Sequence, residues 1–383
     1  MCEIETYRGC FRAHNCKFCS EYLKSVIYTR AQQEIAREIE ALYAAGNRYF
    51  RLGAQTDLFM YGADKSAGPG DLSSGSQKQA RPRPELIGEL YSMIREKAPD
   101  LSVLHMDNAN PATIAKFPGE SREIIRAITS CNTPGDTAAF GLESADTRVL
   151  NANNVGTTPY ETKEAIKIMN EIGGFREEGI PKLLPGINFL HGLEGEDEET
   201  YRINLEFLRE ILNKGYLLRR INIRQVIPVP GFKKKKINPY KFNQYKEIIN
   251  KEINKPMLEK VFPPGIIMRE VLVEKSGGKV SYGRQLGTYP ILIGIPGEYS
   301  AGGFVDVRIV DHGYRSITGL IYPFNINEAS VQEIQALPGI GKKRAMRLFM
   351  KKPYKNFKSV VEALDDSLTV SELERLKQYL DVF

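Results

Sequence analysis

Three cysteines near the start constrain this chain more than any other feature. Cys10-Phe11-Arg12-Ala13-His14-Asn15-Cys16-Lys17-Phe18-Cys19 places them at C-x5-C-x2-C spacing. Three thiolates on one short loop can take three corners of a cubane iron–sulfur cluster, whereas a purely electron-transferring cluster normally takes four. No fourth cysteine lies nearby, so one iron is left open to a further ligand. A zinc site in which His14 joins Cys10, Cys16 and Cys19 is the competing reading, although His14 sits inside the loop rather than at a paired-knuckle distance. A disulfide framework fits poorly. The chain holds five cysteines, an odd count, and opens without a secretory pattern, which points to a reducing interior.

Beyond the loop, residues 1–230 alternate strand-like and helix-like segments, the signature of a parallel α/β architecture. Glu3–Tyr7 reads as a first strand feeding the cysteine loop. A helix over Thr29–Ala45, closed by Gly46, leads to a second strand at Tyr49–Leu52, which ends in Gly53-Ala54-Gln55-Thr56-Asp57. A polar insert from about Asp64 to Pro84 follows, and loops of that length are commonly lids or surface insertions. Further strands are expected at Leu101–Met106, Thr137–Leu142, Lys182–Leu190 and Ile221–Ile227, with helices at Pro84–Lys97, Ser121–Thr129, Pro159–Ile172 and Glu198–Leu212. Six strand–helix repeats result. His105 and His191, each after an apolar strand, read as core or rim histidines, and Lys233–Lys236 as a solvated loop.

The chain resembles the radical S-adenosylmethionine (SAM) superfamily, on Ile4-Glu5-Thr6-Tyr7-Arg8-Gly9-Cys10 followed by two more cysteines with Phe18 before the last. The family's usual spacing is C-x3-C-x2-C, so two residues are added in the first gap. The resemblance implies a partial (β/α)6 TIM-type barrel with its chemistry at the carboxyl ends of the strands. It implies a [4Fe–4S] cluster on Cys10, Cys16 and Cys19, whose open iron chelates SAM. An electron supplied by a donor such as ferredoxin or flavodoxin then yields a 5′-deoxyadenosyl radical. Phe18 matches the position near the adenine. Gly53-Ala54-Gln55 stands where the family has Gly-Gly-Glu, keeping one glycine and exchanging the acid for Gln55. Gly141–Leu150 resembles the fourth-strand segment, where Glu143 and Ser144 contact SAM; a helix cap is the plainer reading of Ser144 alone. Ile187–Asp197 resembles the fifth-strand segment, with Glu194 replacing the usual proline. Asn108, Asn110 and the 64–84 loop are candidates for substrate contact.

After a Lys- and Asn-rich connector, short β-prone runs begin at Ile266: Met268–Glu274, Val280–Tyr282, Pro290–Ile295, Gly303–Val310 and Ser316–Tyr322. They predict a small β-barrel. Its layout resembles the TRAM domain, an RNA-binding module of tRNA methylthiotransferases, with a plain structural barrel as the alternative. In the tail, Leu337-Pro338-Gly339-Ile340-Gly341-Lys342-Lys343-Arg344-Ala345 resembles a helix-hairpin-helix motif. Gly339 and Gly341 would let the backbone approach a phosphate, and Lys342, Lys343 and Arg344 would add sequence-independent charge. Net charge is +6, and Lys342, Lys343, Arg344, Arg347, Lys351, Lys352, Lys355 and Lys358 have no acidic residue among them.

The expected architecture is therefore α/β: a radical SAM barrel over 1–232, a linker over 233–264, a TRAM-like barrel over 265–323 and an all-α helix-hairpin-helix domain over 324–383. The expected activity is radical SAM chemistry on a nucleic acid, RNA more readily than DNA. Methylthiolation asks for a second cluster held by three more cysteines in an upstream domain; Cys2 and Cys131 are too few for one, so it ranks below an unspecified modification unless such a domain precedes this chain, and the same condition covers cobalamin-dependent methyl transfer. Two other readings stand beside it. One is a nucleic-acid-binding protein with a structural or redox-sensing cluster; the other is a radical SAM enzyme acting on a protein or small molecule. No apolar run reaches the roughly 18–20 residues needed to span a bilayer, so a cytoplasmic protein without a membrane partner is expected.

Overall fold

The computed structural model describes residues 1–12, 15–23, 27–63, 80–364 and 368–382. They divide into two compact units, Met1–Met257 with Gly287–Tyr289, and Leu258–Leu286 with Pro290–Phe383. His14 and most of the 64–84 insert lie outside the described residues.

The first unit is built on six parallel strands in chain order: β1 (Cys2–Glu5), β2 (Tyr49–Gly53), β3 (Val103–Met106), β4 (Asp136–Glu143), β5 (Leu183–His191) and β6 (Arg220–Gln225). β1 pairs β2 (Cys2 opposite Phe50), and β2 pairs β3 (Tyr49 opposite Val103). Asn108–Ala109 continues β3 and pairs β4, which in turn pairs β5; β5 pairs β6. No pairing joins β6 back to β1 among the described residues, so the barrel is partial.

Strand parity explains the core. On β2, Phe50 and Leu52 are fully buried, while Arg51 between them pairs with Glu3 of β1 at 2.9 Å. Phe140, Leu142, Ile187 and Phe189 continue the buried face. The helices that cover it are α1 (Gln32–Ala44), α2 (Pro84–Lys97), α3 (Pro111–Lys116), α4 (Pro118–Cys131), α5 (Thr147–Ala152), α6 (Pro159–Gly173) and α7 (Glu198–Asn213). They supply Ile35, Ile87, Ile94, Ile124, Ile128, Ile166 and Leu208, all buried. Local chemistry sets the helix starts. Thr158 and Glu161 form a capping box on α6, as Asp197 and Thr200 do on α7.

The stretch after β6, polar and amphipathic in sequence, forms helices. α8 (Pro239–Ile249), a single π-helical turn and α9 (Lys255–Val261) bury Phe242, Tyr245, Ile249, Ile253 and Met257. Arg209 of α7 binds Glu252 at 2.6 Å. Thr288 and Tyr289 also belong to this unit. The Thr288 N–H donates to His105 Nδ1 (2.9 Å), and the Tyr289 hydroxyl donates to Asp107 (2.8 Å). Burial holds His105 well down, at about 3, so the ring is neutral.

The second unit opens with a closed five-stranded barrel: β7 (Ile267–Ser276), β8 (Val280–Gln285), β9 (Leu292–Pro296), β10 (Phe304–His312) and β11 (Ser316–Ile321), in spatial order 7-8-9-11-10. Four helices follow: α10 (Val331–Gln335), α11 (Lys342–Met350), α12 (Phe357–Ala363) and α13 (Val370–Lys377). Ser330 and Glu333 form a capping box on α10. Ile334, Leu337, Ile340, Ala345 and Leu348 share one buried cluster with Val360, Leu376 and barrel residues Val310 and Leu320.

Candidate active site

The cysteine loop leaves the carboxyl end of β1 and is anchored from three sides. Tyr7, fully buried, donates its hydroxyl hydrogen to the Asp57 carbonyl (2.7 Å) and accepts the Asp57 N–H (2.9 Å). Thr56 Oγ1 donates to the Gly9 carbonyl (3.0 Å), tying the exit of β2 to the residue before Cys10. Further along, the Lys17 N–H donates to the Asn153 carbonyl (3.0 Å). Gly9 takes φ +93°, a turn conformation that favours glycine.

The three thiols are free, half-buried and close enough to influence one another electrostatically. Burial pushes the Cys10 and Cys19 thiols up. Cys16 Sγ accepts from Arg12 Nη1 (3.2 Å), and Cys19 Sγ accepts from the Glu21 N–H (3.4 Å). Among the described residues, no three His, Cys, Asp or Glu side chains converge as a single bound ion requires. A cubane carries its ligand sulfurs on separate irons and needs them wider apart. Three soft sulfurs, two already holding N–H donors, suit an iron–sulfur cluster.

Arg12 lies in the lengthened first gap of the cysteine motif. Besides Cys16 it reaches Thr157 Oγ1 (3.1 Å), and its charge acts on Glu143 and Asp57. It thus links the cysteine loop to the exits of β2 and β4. Both exits are conformationally strained: Ala54 has φ +62° and Glu143 φ +66°. Non-glycine residues hold such angles at a cost of about 1–3 kcal/mol, a strain that clusters at functional sites.

Burial pushes the Glu143 carboxyl up to about 7, with Arg12 and Arg224 pulling the other way. The folded protein therefore binds a proton here more tightly than the unfolded chain. That raised affinity stabilises it below the unfolded value near 4.3 and is lost as pH rises to about 7. In the cluster-free protein, Glu143→Gln is expected to gain roughly 1–3 kcal/mol at pH 8 and nothing at pH 4. Urea midpoints at the two pH values check this; an equal gain at both removes the titration account.

The other expected contacts are distributed unevenly. Phe18 packs against the buried cluster of Val149, Leu193 and Val226, and stands edge-on to Phe232 at 6.4 Å. Gly53 has no room for a side chain unless the Glu3 carboxylate moves, since a Cβ would lie 2.2 Å from its oxygen. The Gln55 side chain turns inward, donating to the Leu52 carbonyl, and the Gln55 backbone carbonyl accepts from Asn108 Nδ2 (3.0 Å). Ser144 is buried, donates to Asn204 Oδ1 (3.4 Å) and accepts the Asp146 N–H. Asn110 caps α3 and accepts from Thr157. Tyr7, Arg12, Thr56, Asp57 and Thr157 were not singled out by sequence. The position of Tyr7 and Asp57 at the ends of the first two strands is the signal that could have found them.

Gly339, Gly341, Lys342, Lys343 and Arg344 belong to the second unit. Gly339 has φ +77°, and Gly341 starts α11 with no side-chain cap and open space at its α-carbon. Lys342 and Lys343 are exposed, whereas Arg344 donates to the Gly339 carbonyl (2.8 Å).

A parallel partial barrel with a three-cysteine loop at the carboxyl end of its first strand defines an iron–sulfur enzyme of the α/β-barrel type. Residues 4–208 match the radical SAM superfamily, and the chain belongs to it. Members use a [4Fe–4S] cluster and SAM. An uncharacterized protein of Archaeoglobus fulgidus is 40% identical over 92% of this chain and 65% of its own length. Another, of Methanocaldococcus jannaschii, is 44% identical over 84% of this chain and 60% of its own. The chain thus spans less than two thirds of the length of these relatives. Among solved structures, methylornithine synthase aligns with TM-score 0.40 and 16% identity over 68% of this chain and 67% of its own. No helix among the described residues is long and apolar enough to cross a membrane.

Proposed function

We propose that this chain is a radical SAM enzyme that modifies a nucleic acid, RNA more readily than DNA. Cys10, Cys16 and Cys19 hold the cluster, and Phe18, Gly53, Ala54, Gln55, Glu143 and Ser144 surround SAM. Bound together, cluster and SAM supply a carbon-centred radical that abstracts hydrogen from an unactivated position, given an electron from a ferredoxin or flavodoxin. The chain's own residues position that chemistry. Arg12 and the Glu21 N–H hold two sulfurs, Tyr7 and Thr56 fix the loop, and Phe18 with Phe232 forms an apolar wall beside it.

One observation carries the nucleic-acid part. The α11 region carries eight cations between Lys342 and Lys358 without an acid in the sequence, beginning at a helix start that lacks a side-chain cap; Lys342, Lys343, Lys351, Lys355 and Lys358 are exposed, while Arg344, Arg347 and Lys352 bind backbone carbonyls. Free N–H groups and lysines at a helix start suit phosphate. In this reading 1–232 is the radical SAM domain, 233–264 the connector, 265–323 a TRAM-like barrel and 324–383 a helix-hairpin-helix domain, the last two presenting the substrate.

The test is anaerobic reconstitution with iron and sulfide, then reduction with SAM in the presence of total tRNA, DNA or neither. Formation of 5′-deoxyadenosine stimulated by RNA above DNA is the expected result. Turnover indifferent to both polymers would sink the substrate assignment while keeping the radical chemistry.

A further inference from the structure

The loop after β6, Val226–Asn238, carries four consecutive lysines, Lys233–Lys236, whose sequence alone reads as solvated surface. In the folded first unit the loop is pinned. The Phe232 ring meets Phe18 of the cysteine loop, and the Phe232 N–H closes a turn onto the Val229 carbonyl. The Lys235 N–H donates to the Gly192 carbonyl (2.9 Å), and its ammonium donates to the Glu196 carbonyl. Gly192 has φ +89°, and a Cβ there would meet Lys234 methylenes and Val226 at 3.2 Å. Lys234 and Lys235 therefore hold the loop over the β5–α7 turn, while all four lysines stay exposed, as the sequence reading had them.

Its side chains wall a cleft of about 330 Å³, lined by Gln225, Lys234, Lys235, Lys236, Ile237 and Pro239. Gln225 ends β6, so the cleft opens at the carboxyl end of the barrel, where this fold places its chemistry. Pro239, the first residue of α8, completes the wall; that helix start is already capped, since the Asn238 side chain accepts the Tyr240 and Lys241 N–H groups, so the lysines supply the cleft's positive charge. Nearby carboxylates are already occupied. Glu194 pairs with Lys17 (2.8 Å), Glu198 pairs with Lys241, and the Glu196 carboxylate takes His191 and the Gly192 and Leu193 N–H groups. Among the described residues the Lys234 ammonium donates to Gln225 Oε1 (3.0 Å), a neutral acceptor. None of Lys233–Lys236 pairs with a carboxylate among the described residues.

We infer that this cleft is a phosphate site, which takes a phosphodiester of the substrate strand and fixes that strand at the barrel mouth beside the cysteine loop. The inference rests on the nucleic-acid reading above. The cleft is at the small end of ligand pockets, which run about 300–1,000 Å³, and suits one phosphate with its sugar. Concentrated ammonium groups and no competing acid among the described residues favour a phosphate over a neutral group. Phosphate contacts position a strand without reading its bases, so the site sets which nucleotide reaches the reaction centre by distance.

The test uses the full chain. Binding of a fluorescein-labelled oligouridylate is followed by anisotropy across a salt series, for wild type, Lys233→Gln/Lys234→Gln/Lys236→Gln and Lys342→Gln/Lys343→Gln. Lys235 is kept because its ammonium anchors the loop. The barrel-mouth triple variant is expected to lower the slope of log K against log salt by about 2, with roughly tenfold or more weaker binding at low salt. The matching triple Lys→Arg variant is expected to keep the wild-type slope, which a purely structural role does not predict. An unchanged slope in the Gln triple, with a loss confined to Lys342→Gln/Lys343→Gln, overturns the cleft assignment and leaves the nucleic-acid reading standing. RNA binding by none of the proteins overturns both. Uridine 5′-monophosphate is titrated in parallel; if the triple variant loses it while RNA binding is unchanged, the cleft serves a small phosphate ligand and the strand assignment falls.

Discussion

Substituting Cys10, Cys16 or Cys19 singly by Ala is expected to abolish assembly of a complete cluster and, with it, reductive cleavage of SAM. Iron bound after anaerobic reconstitution should fall from about four per chain towards zero, because two thiolates do not retain a cubane against solvent. The effect should be specific. Cys2 lies on β1 and Cys131 ends α4, and Ala at either position should leave iron content and 5′-deoxyadenosine formation unchanged. The thiols must lose their protons to bind iron, and burial raises two of them. Reconstitution should therefore run faster at pH 8.5 than at pH 7. A Cys10→Ala protein that assembled a full, SAM-cleaving cluster would falsify the assignment.

The second large effect is expected at Tyr7. Its ring is fully buried and stands edge-on to Phe11 at 5.6 Å, while its hydroxyl both donates to and accepts from the Asp57 backbone. Tyr7→Phe keeps the ring and leaves an N–H and a carbonyl without that partner, which costs about 1–3 kcal/mol. Tyr7→Ala also empties the ring's volume, and buried aromatic truncations cost about 3–5 kcal/mol. Urea denaturation of the cluster-free protein separates the two terms. Because the same hydroxyl ties the cysteine loop's root to the end of β2, Tyr7→Phe should also slow cluster assembly. If Tyr7→Phe matched wild type in both urea midpoint and assembly rate, the hydroxyl would have no anchoring role.

Much of this architecture is legible in the chain because the forces that set it are local. Pro84–Lys97 is helical over the expected residues, its first position taken by proline and its apolar positions spaced for one face. The strand expected at Thr137–Leu142 runs from Asp136 to Glu143, and the one at Lys182–Leu190 from Leu183 to His191. Ser330 caps its helix as its spacing to Glu333 requires. The five β-prone runs after Ile266 close into one barrel. Differences concentrate where a short element depends on a distant partner. Two-residue strands such as Tyr7–Arg8 with Tyr28–Thr29 have too little sequence to show a pattern. The Lys- and Asn-rich connector is packed helix because α7 offers it an apolar face and Glu198 and Arg209 as partners.

By itself the sequence carried the family resemblance, the order of the six barrel strands and the spacing of the three cysteines, since motifs and strand patterns act over a few residues. Tertiary structure alone decided what surrounds those cysteines. Arg12 meets Thr157 across 145 positions, and Tyr7 meets Asp57 across 50. It also brought Thr157 to the Asn110 side chain and set an exposed lysine run along the wall of a cleft. A side chain's role of that kind depends on which strand ends the partial barrel brings together, and the order of the strands, not any local preference, selects them.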